Sequence, residues 1–108
     1  MRIISGHLKG KKILKPSTKN TRPLKDLTKE SIFNILQHSN FINIDFEKSA
    51  ILDVFSGVGS FGLECISRGA RNVFFCENFP ETLKILKKNI HNLNCEKKIQ
   101  IVTKNIFN

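Results

Sequence analysis

The stretch Ala50-Ile-Leu-Asp-Val-Phe-Ser-Gly-Val-Gly-Ser-Phe-Gly62 decides how the rest of the chain is read. It begins with a short apolar run, Ala50 to Phe55, broken only by Asp53. A run of that length bounded by turn residues predicts a parallel strand buried on both faces. Ser56, Gly57, Val58 and Gly59 follow as a turn in which glycine takes a positive φ without a Cβ clash. Ser60 to Arg68 then reads as a helix with Phe61, Cys65 and Ile66 on its apolar side. Gly69 sits where a helix ends in the left-handed conformation. Strand, glycine turn and helix form the opening half of a βαβ unit. In α/β sheets the helix N–H groups then face a crevice at the strand's carboxyl end, where ligands bind.

Gly57-x-Gly59-x-x-Gly62 has the spacing of a dinucleotide fingerprint, and Glu77 follows at the end of the next predicted strand. Taken alone, that spacing is weak evidence. Asp53 sharpens it, because a nicotinamide-binding strand carries an apolar residue at the equivalent place. A carboxylate there suits the ammonium of an amino-acid-like ligand. S-adenosylmethionine carries an α-amino and an α-carboxyl group, a ribose and an adenine, and no phosphate.

Outward from this centre, Arg2-Ile-Ile-Ser5 and Lys11-Lys-Ile-Leu14 are short β-like runs flanking Gly6-His-Leu-Lys-Gly10, and predict a hairpin. Residues 16–23, punctuated by Pro16 and Pro23, read as an irregular loop. From about Leu24 to Gln37, Leu27, Ile32, Ile35 and Leu36 recur at helical spacing beside Phe33. Residues 38–49 carry no assignable pattern. Beyond the central motif, Asn72 to Glu77 reads as a second buried strand, and Pro80 opens a helix where a missing N–H costs nothing. Leu83, Leu86, Ile90 and Leu93 give that helix an apolar stripe. Residues 99–103 form a third strand, with Lys104 to Asn108 following it. Right-handed crossovers place the three strands side by side in parallel. The division expected is a basic hairpin arm and loop over 1–23, a candidate for RNA docking, and an incomplete nucleotide-binding α/β domain over 24–108.

With 108 residues the chain holds at most one small domain. Its 18 basic against 9 acidic residues leave a net charge of +9. That balance favours a polyanionic partner, with lysine spread over solvated faces as the plainer alternative. Cys65, Cys76 and Cys95 show no metal-ligand or disulfide spacing and read as reduced thiols of a cytoplasmic protein. Neither a membrane-length apolar run nor a signal-peptide pattern is present. Three parallel strands are half of a doubly wound sheet, and the first would have a long unpaired apolar edge. The expectation is therefore a truncated chain.

A family resemblance rests on motifs that follow one another in order. They are Arg2-Ile-Ile-Ser-Gly6, Lys9-Gly10, Thr21-Arg22-Pro23, Lys29-Glu-Ser-Ile-Phe-Asn34, Leu52 to Glu64 and Ser67-Arg-Gly-Ala70. Together they resemble the start of the bacterial small-subunit ribosomal RNA guanine-N2 methyltransferases of the RsmD type. The resemblance implies a Rossmann-like class I methyltransferase fold, S-adenosyl-L-methionine as cofactor, and methyl transfer to a guanine exocyclic amine of 16S rRNA. The partner would be 16S rRNA or an assembling small ribosomal subunit, with no membrane, and the full-length protein would be a monomer. Two departures stand out. Leu24 replaces the threonine of the family's Arg-Pro-Thr, and the Asp/Asn-Pro-Pro-aromatic motif that holds the target amine does not occur. The resemblance places that motif after a fourth strand, beyond Asn108. No catalytic residue is therefore expected here, and the chain alone is expected to be inactive.

Residue roles follow, each beside a plainer one. Ser56, Gly57 and Gly59 let the backbone approach the methionine portion, or simply make a tight turn, and Gly62 continues the glycine motif. Asp53 holds the ammonium or caps the turn. Glu77, with Asn78 beside it, accepts the ribose hydroxyls or is an exposed loop acid. Asn105 reads the adenine amine or is a turn asparagine. Phe55 flanks the adenine or packs in the core. Arg2, Lys9, Lys11, Lys12, Arg22, Lys25 and Lys29 are the candidate phosphate contacts, with a solvated basic face as the alternative. No metal site is expected. A nicotinamide-binding fragment and a catalytically silent RNA-binding module remain as alternative functions.

Overall fold

The computed structural model describes residues 1–15, 26–39, 44–54 and 56–103. Its elements are helix α1 (Asp26–His38), strand β1 (Ala50–Asp53), helix α2 (Ser60–Ser67), strand β2 (Asn72–Cys76), helix α3 (Pro80–Asn92) and strand β3 (Ile99–Val102). The strands form a parallel sheet in the order β1-β2-β3, as the β-α-β-α-β pattern predicts. Each crossover carries one α-helix, and a short 3-10 turn, Glu96–Lys98, precedes β3. Right-handed connections therefore put α2 and α3 on the same side of the sheet.

Register makes that sidedness explicit. Ile51, Val73 and Ile99 align in one row and Asp53, Phe75 and Ile101 in another. Val73 and Phe75 are fully buried with Leu63, Ile66, Leu86 and Ile90 from the two helices. The alternate row is Leu52, Phe74 and Gln100, and Leu52 is 60% exposed. The expectation that β1 is buried on both faces is thus corrected. Strand residues alternate sides, and among the described residues helices cover only one of them.

The amino-terminal segment forms the predicted turn, with an antiparallel bridge between Arg2 and Lys12. Three further backbone hydrogen bonds, from Ile3 to Lys11, Gly10 to Ile3 and Ile13 to Met1, close it. It lies on the body rather than projecting from it: Ile3 and Ile13 are 0% exposed and belong to the main core. Gly6 has a φ of 89°, and a Cβ there would overlap the Ser67 carbonyl, so glycine lets the turn meet the end of α2.

Helix α1 corrects a second reading. Leu27 is 77% and Ile35 55% exposed, whereas Phe33 is buried. The helix faces the core with the Lys29–Phe33 side because Phe33 stacks on Phe61 at 5.0 Å and packs on Phe46 at 5.8 Å. The Arg68 guanidinium covers the same ring at 4.3 Å. An aromatic ring buries more apolar surface than either displaced aliphatic side chain, which decides the helix rotation.

Candidate cofactor site at the β1–α2 turn

The turn between β1 and α2 requires its glycines for different reasons. Gly57 has a φ of 53° with no atom within 4 Å of where a Cβ would stand, so conformation alone selects glycine and the space beside it is open. Gly59 has a φ of 95°, and a Cβ would come within 2.7 Å of Leu86 Cδ1. A Cβ on Gly62 would overlap the Phe75 ring, so this glycine brings α2 close against the sheet.

The carboxyl end of β2 and the residue after it then tie the turn down. The Ser56 hydroxyl donates to the Cys76 carbonyl at 3.2 Å, and the Ser56 N–H donates to the same oxygen at 3.4 Å. Glu77 closes the arrangement, with Oε1 accepting the Gly57 N–H at 3.1 Å and Oε2 accepting the Phe79 N–H at 3.0 Å. A carboxylate offers about four acceptor positions, so two remain for hydroxyl donors. Asp53 ends β1 opposite Phe75, two residues ahead of Glu77 on the neighbouring strand. Both acids therefore stand at the carboxyl end of the sheet. Asp53 also acts electrostatically on α2. Burial, followed by the negative charges of Asp53 and Glu64, pushes the Cys65 thiol up to about 12.

Other predicted residues fall as follows. Asn78 is exposed just beyond β2. Arg2, Lys9, Lys11 and Lys12 are exposed on the amino-terminal turn. Phe55, Asn105, Arg22 and Lys25 lie outside the described residues. So does Asn108, the position beyond which the amine-holding motif is expected. Lys29 is a correction: it is 1% exposed and cannot meet a phosphate from solvent. Its ammonium lies 3.3 Å from Glu64 Oε1 and donates to the Arg2 carbonyl at 3.0 Å and the Ser60 hydroxyl at 3.2 Å. A buried lysine needs a counter-ion and full hydrogen bonding, and Glu64 creates that place. All three cysteines are buried free thiols. Among the described residues no metal-binding cluster occurs, and no described helix is long and apolar enough to cross a membrane.

Sequence reasoning missed the buried polar residues around the turn. Glu64, 0% exposed, also accepts the Ile4 N–H at 2.9 Å and the Ser5 N–H at 3.0 Å. Arg68 Nε lies 2.9 Å from Glu64 Oε2. Asn89 of α3 is 1% exposed and donates to the Val58 carbonyl at 2.8 Å. The available signals were a glutamate inside the apolar run Leu63–Ile66 with an arginine four residues on, and an asparagine next to Ile90 in the apolar stripe.

This arrangement of turn, strand tip and packed amino-terminal segment has counterparts. The family described as Conserved hypothetical protein 95 matches residues 1–108, the whole chain. The chain belongs to that family. The similarity extends to proteins named ribosomal RNA small subunit methyltransferase D. One, from Buchnera aphidicola of Acyrthosiphon pisum, is 41% identical over 92 residues, covering 85% of this chain and 45% of the relative. Another, from Haemophilus influenzae, is 37% identical over 95 residues, covering 88% and 46%. A solved Escherichia coli structure, provisionally named a methyltransferase, superposes with a TM-score of 0.79 at 28% identity, covering 97% of this chain and 52% of its own. The resemblance to the RsmD-type family and the Rossmann-like fold inferred from sequence are borne out. The chain spans about half the length of the curated relatives it matches.

Proposed function

We propose that this chain is the cofactor-binding part of an S-adenosylmethionine-dependent methyltransferase acting on the N2 amine of a guanine in 16S ribosomal RNA. The observation that carries the reading is the Glu77 carboxylate, which sits at the tip of β2 against the Gly57 amide with acceptor capacity to spare. A vicinal diol at the end of an α/β strand is what such a carboxylate accepts. The open space at Gly57 leaves room for a ligand to approach the backbone. Asp53, on the adjacent strand tip, supplies the negative charge that an α-ammonium needs. The names of the family relatives support the reaction class and the small-subunit rRNA.

S-adenosylmethionine supplies an electrophilic methyl group on a sulfonium. The residues assigned here bind and orient that donor, and none of them is assigned as a general base for the target amine. Methyl transfer between two placed groups draws most of its rate from in-line positioning. Arg2, Lys9, Lys11 and Lys12 give the amino-terminal turn a positive face suited to RNA phosphates. The reading places the protein in the cytoplasm, where the small subunit is assembled.

Calorimetric titration with S-adenosylhomocysteine and, separately, with NAD tests the proposal. Saturable binding of the thioether without NAD binding is the expected result. Binding of NAD alone would overturn it in favour of a nicotinamide site. RNA binding with neither ligand bound would leave a silent RNA-binding module.

A further inference from the structure

The glycine turn and the amino-terminal arm share two buried polar side chains. Lys29 of α1 donates to Ser60, the first residue of α2, and to the Arg2 carbonyl in the first run of the arm. Asn89 of α3 donates to the Val58 carbonyl inside the turn at 2.8 Å. Its Oδ1 accepts the Leu14 N–H at 2.7 Å and its Nδ2 reaches the Leu14 carbonyl at 3.3 Å, both in the second run of the arm. Lys29 and Asn89 thus hold the turn on either side of Gly59, and each holds one run of the arm with the same side chain. Both are 1% exposed, so neither is replaced by water at low cost.

We propose that Lys29 and Asn89 are positioning residues that couple the seating of the basic arm to the shape of the cofactor turn. An arm docked on RNA then favours the turn geometry that binds the donor, and donor binding favours the docked arm, since such coupling is reciprocal. The inference rests on the cofactor reading above and deepens it. Neither side chain touches the ligand. Each acts through the backbone or hydroxyl of a turn residue.

The test uses the full chain with S-adenosylhomocysteine as probe and three variants, Lys29→Met, Asn89→Leu and Ser60→Ala. In Lys29→Met, Glu64 keeps Arg68 and the Ile4 and Ser5 amides as partners. Ser60→Ala removes only the Lys29 bond to the end of the turn, leaving the Lys29–Glu64 pair in place, and decides the question if either larger change prevents folding. Calorimetry well below the melting temperature is expected to show affinity reduced about five- to tenfold in each variant. Hydrogen exchange is expected to quicken at the Gly59 amide, while the Ile101 amide in β3 keeps its wild-type rate. Wild-type affinity and wild-type Gly59 exchange in all three variants would overturn the coupling and leave the cofactor site standing. Failure of the wild-type chain to bind the probe would overturn both.

Discussion

Glu77 accepts the amide proton of Gly57 at 3.1 Å across twenty residues of chain, so the tip of β2 holds the turn that follows β1. One acid therefore shapes the site and remains able to bind within it. Replacing Glu77 with alanine removes a charge-assisted acceptor worth about 1.5–3 kcal/mol. S-adenosylhomocysteine affinity is expected to fall about ten- to a hundredfold, read by calorimetry. Glu77→Gln keeps one acceptor oxygen and is expected to lose less.

Gly62 fixes the distance between α2 and the sheet, because Phe75 and Val73 occupy the space a Cβ would need. Gly62→Ala should destabilise the fold by about 1–3 kcal/mol through overpacking. Urea denaturation measures it. A companion Phe75→Leu change, which vacates ring atoms from that space, should recover part of the loss.

Glu64 gathers Lys29, Arg68 and two backbone amides into one buried cluster. Neutralising one partner of a buried ion pair leaves the other uncompensated, at a cost of about 3–5 kcal/mol. Glu64→Gln is expected to lower the unfolding free energy on that scale. Glu30→Gln, on the exposed side of α1, should change it by less than about 0.5 kcal/mol.

Burial and nearby carboxylates raise the Cys65 thiol from 9.0 to about 12, and burial followed by Glu96 raises Cys95 to about 11. An acid whose folded pKa is raised releases its proton more readily when unfolded. The stability tied to these neutral thiols is complete below pH 9 and is lost as pH rises towards 11 and then 12. Unfolding free energy should fall across that window, and Cys65→Ala should flatten the decline. At pH 8 neither thiol should react with iodoacetamide until the chain unfolds.

Arg2, Lys9, Lys11 and Lys12 are exposed, whereas Lys29 is not. If the arm carries the RNA, each neutralised exposed charge should reduce the slope of log affinity against log salt by about 0.7 for a single strand. Filter binding across a salt series measures this. Lys12→Gln should flatten the slope, and an unchanged slope in all four single variants would place the RNA elsewhere.

The local signals in the sequence were strong where a backbone conformation or a run of apolar residues left few choices. Positive φ at Gly57 and Gly59, the apolar runs of β1 and β2, and Pro80 at the head of α3 gave the strand–turn–helix order, and with it the parallel sheet. Asp53 and Glu77 could be placed at the carboxyl ends of neighbouring strands because strand ends can be counted. Burial was a different matter. Two apolar stripes on α1 satisfied the same periodicity, and only packing against Phe46 and Phe61 selected Phe33 over Leu27 and Ile35. Lys29 looked like a phosphate contact because charge is visible in a sequence, while the counter-ion that buries it lies 35 positions away in Glu64. Asn89 drew no reading from the sequence, and only the fold brings Val58 and Leu14 to it. Sequence alone thus determined the order and kind of the elements, since those follow from neighbouring residues. The tertiary structure decided which polar groups are sealed inside and what they hold, because that depends on partners brought together only by the fold.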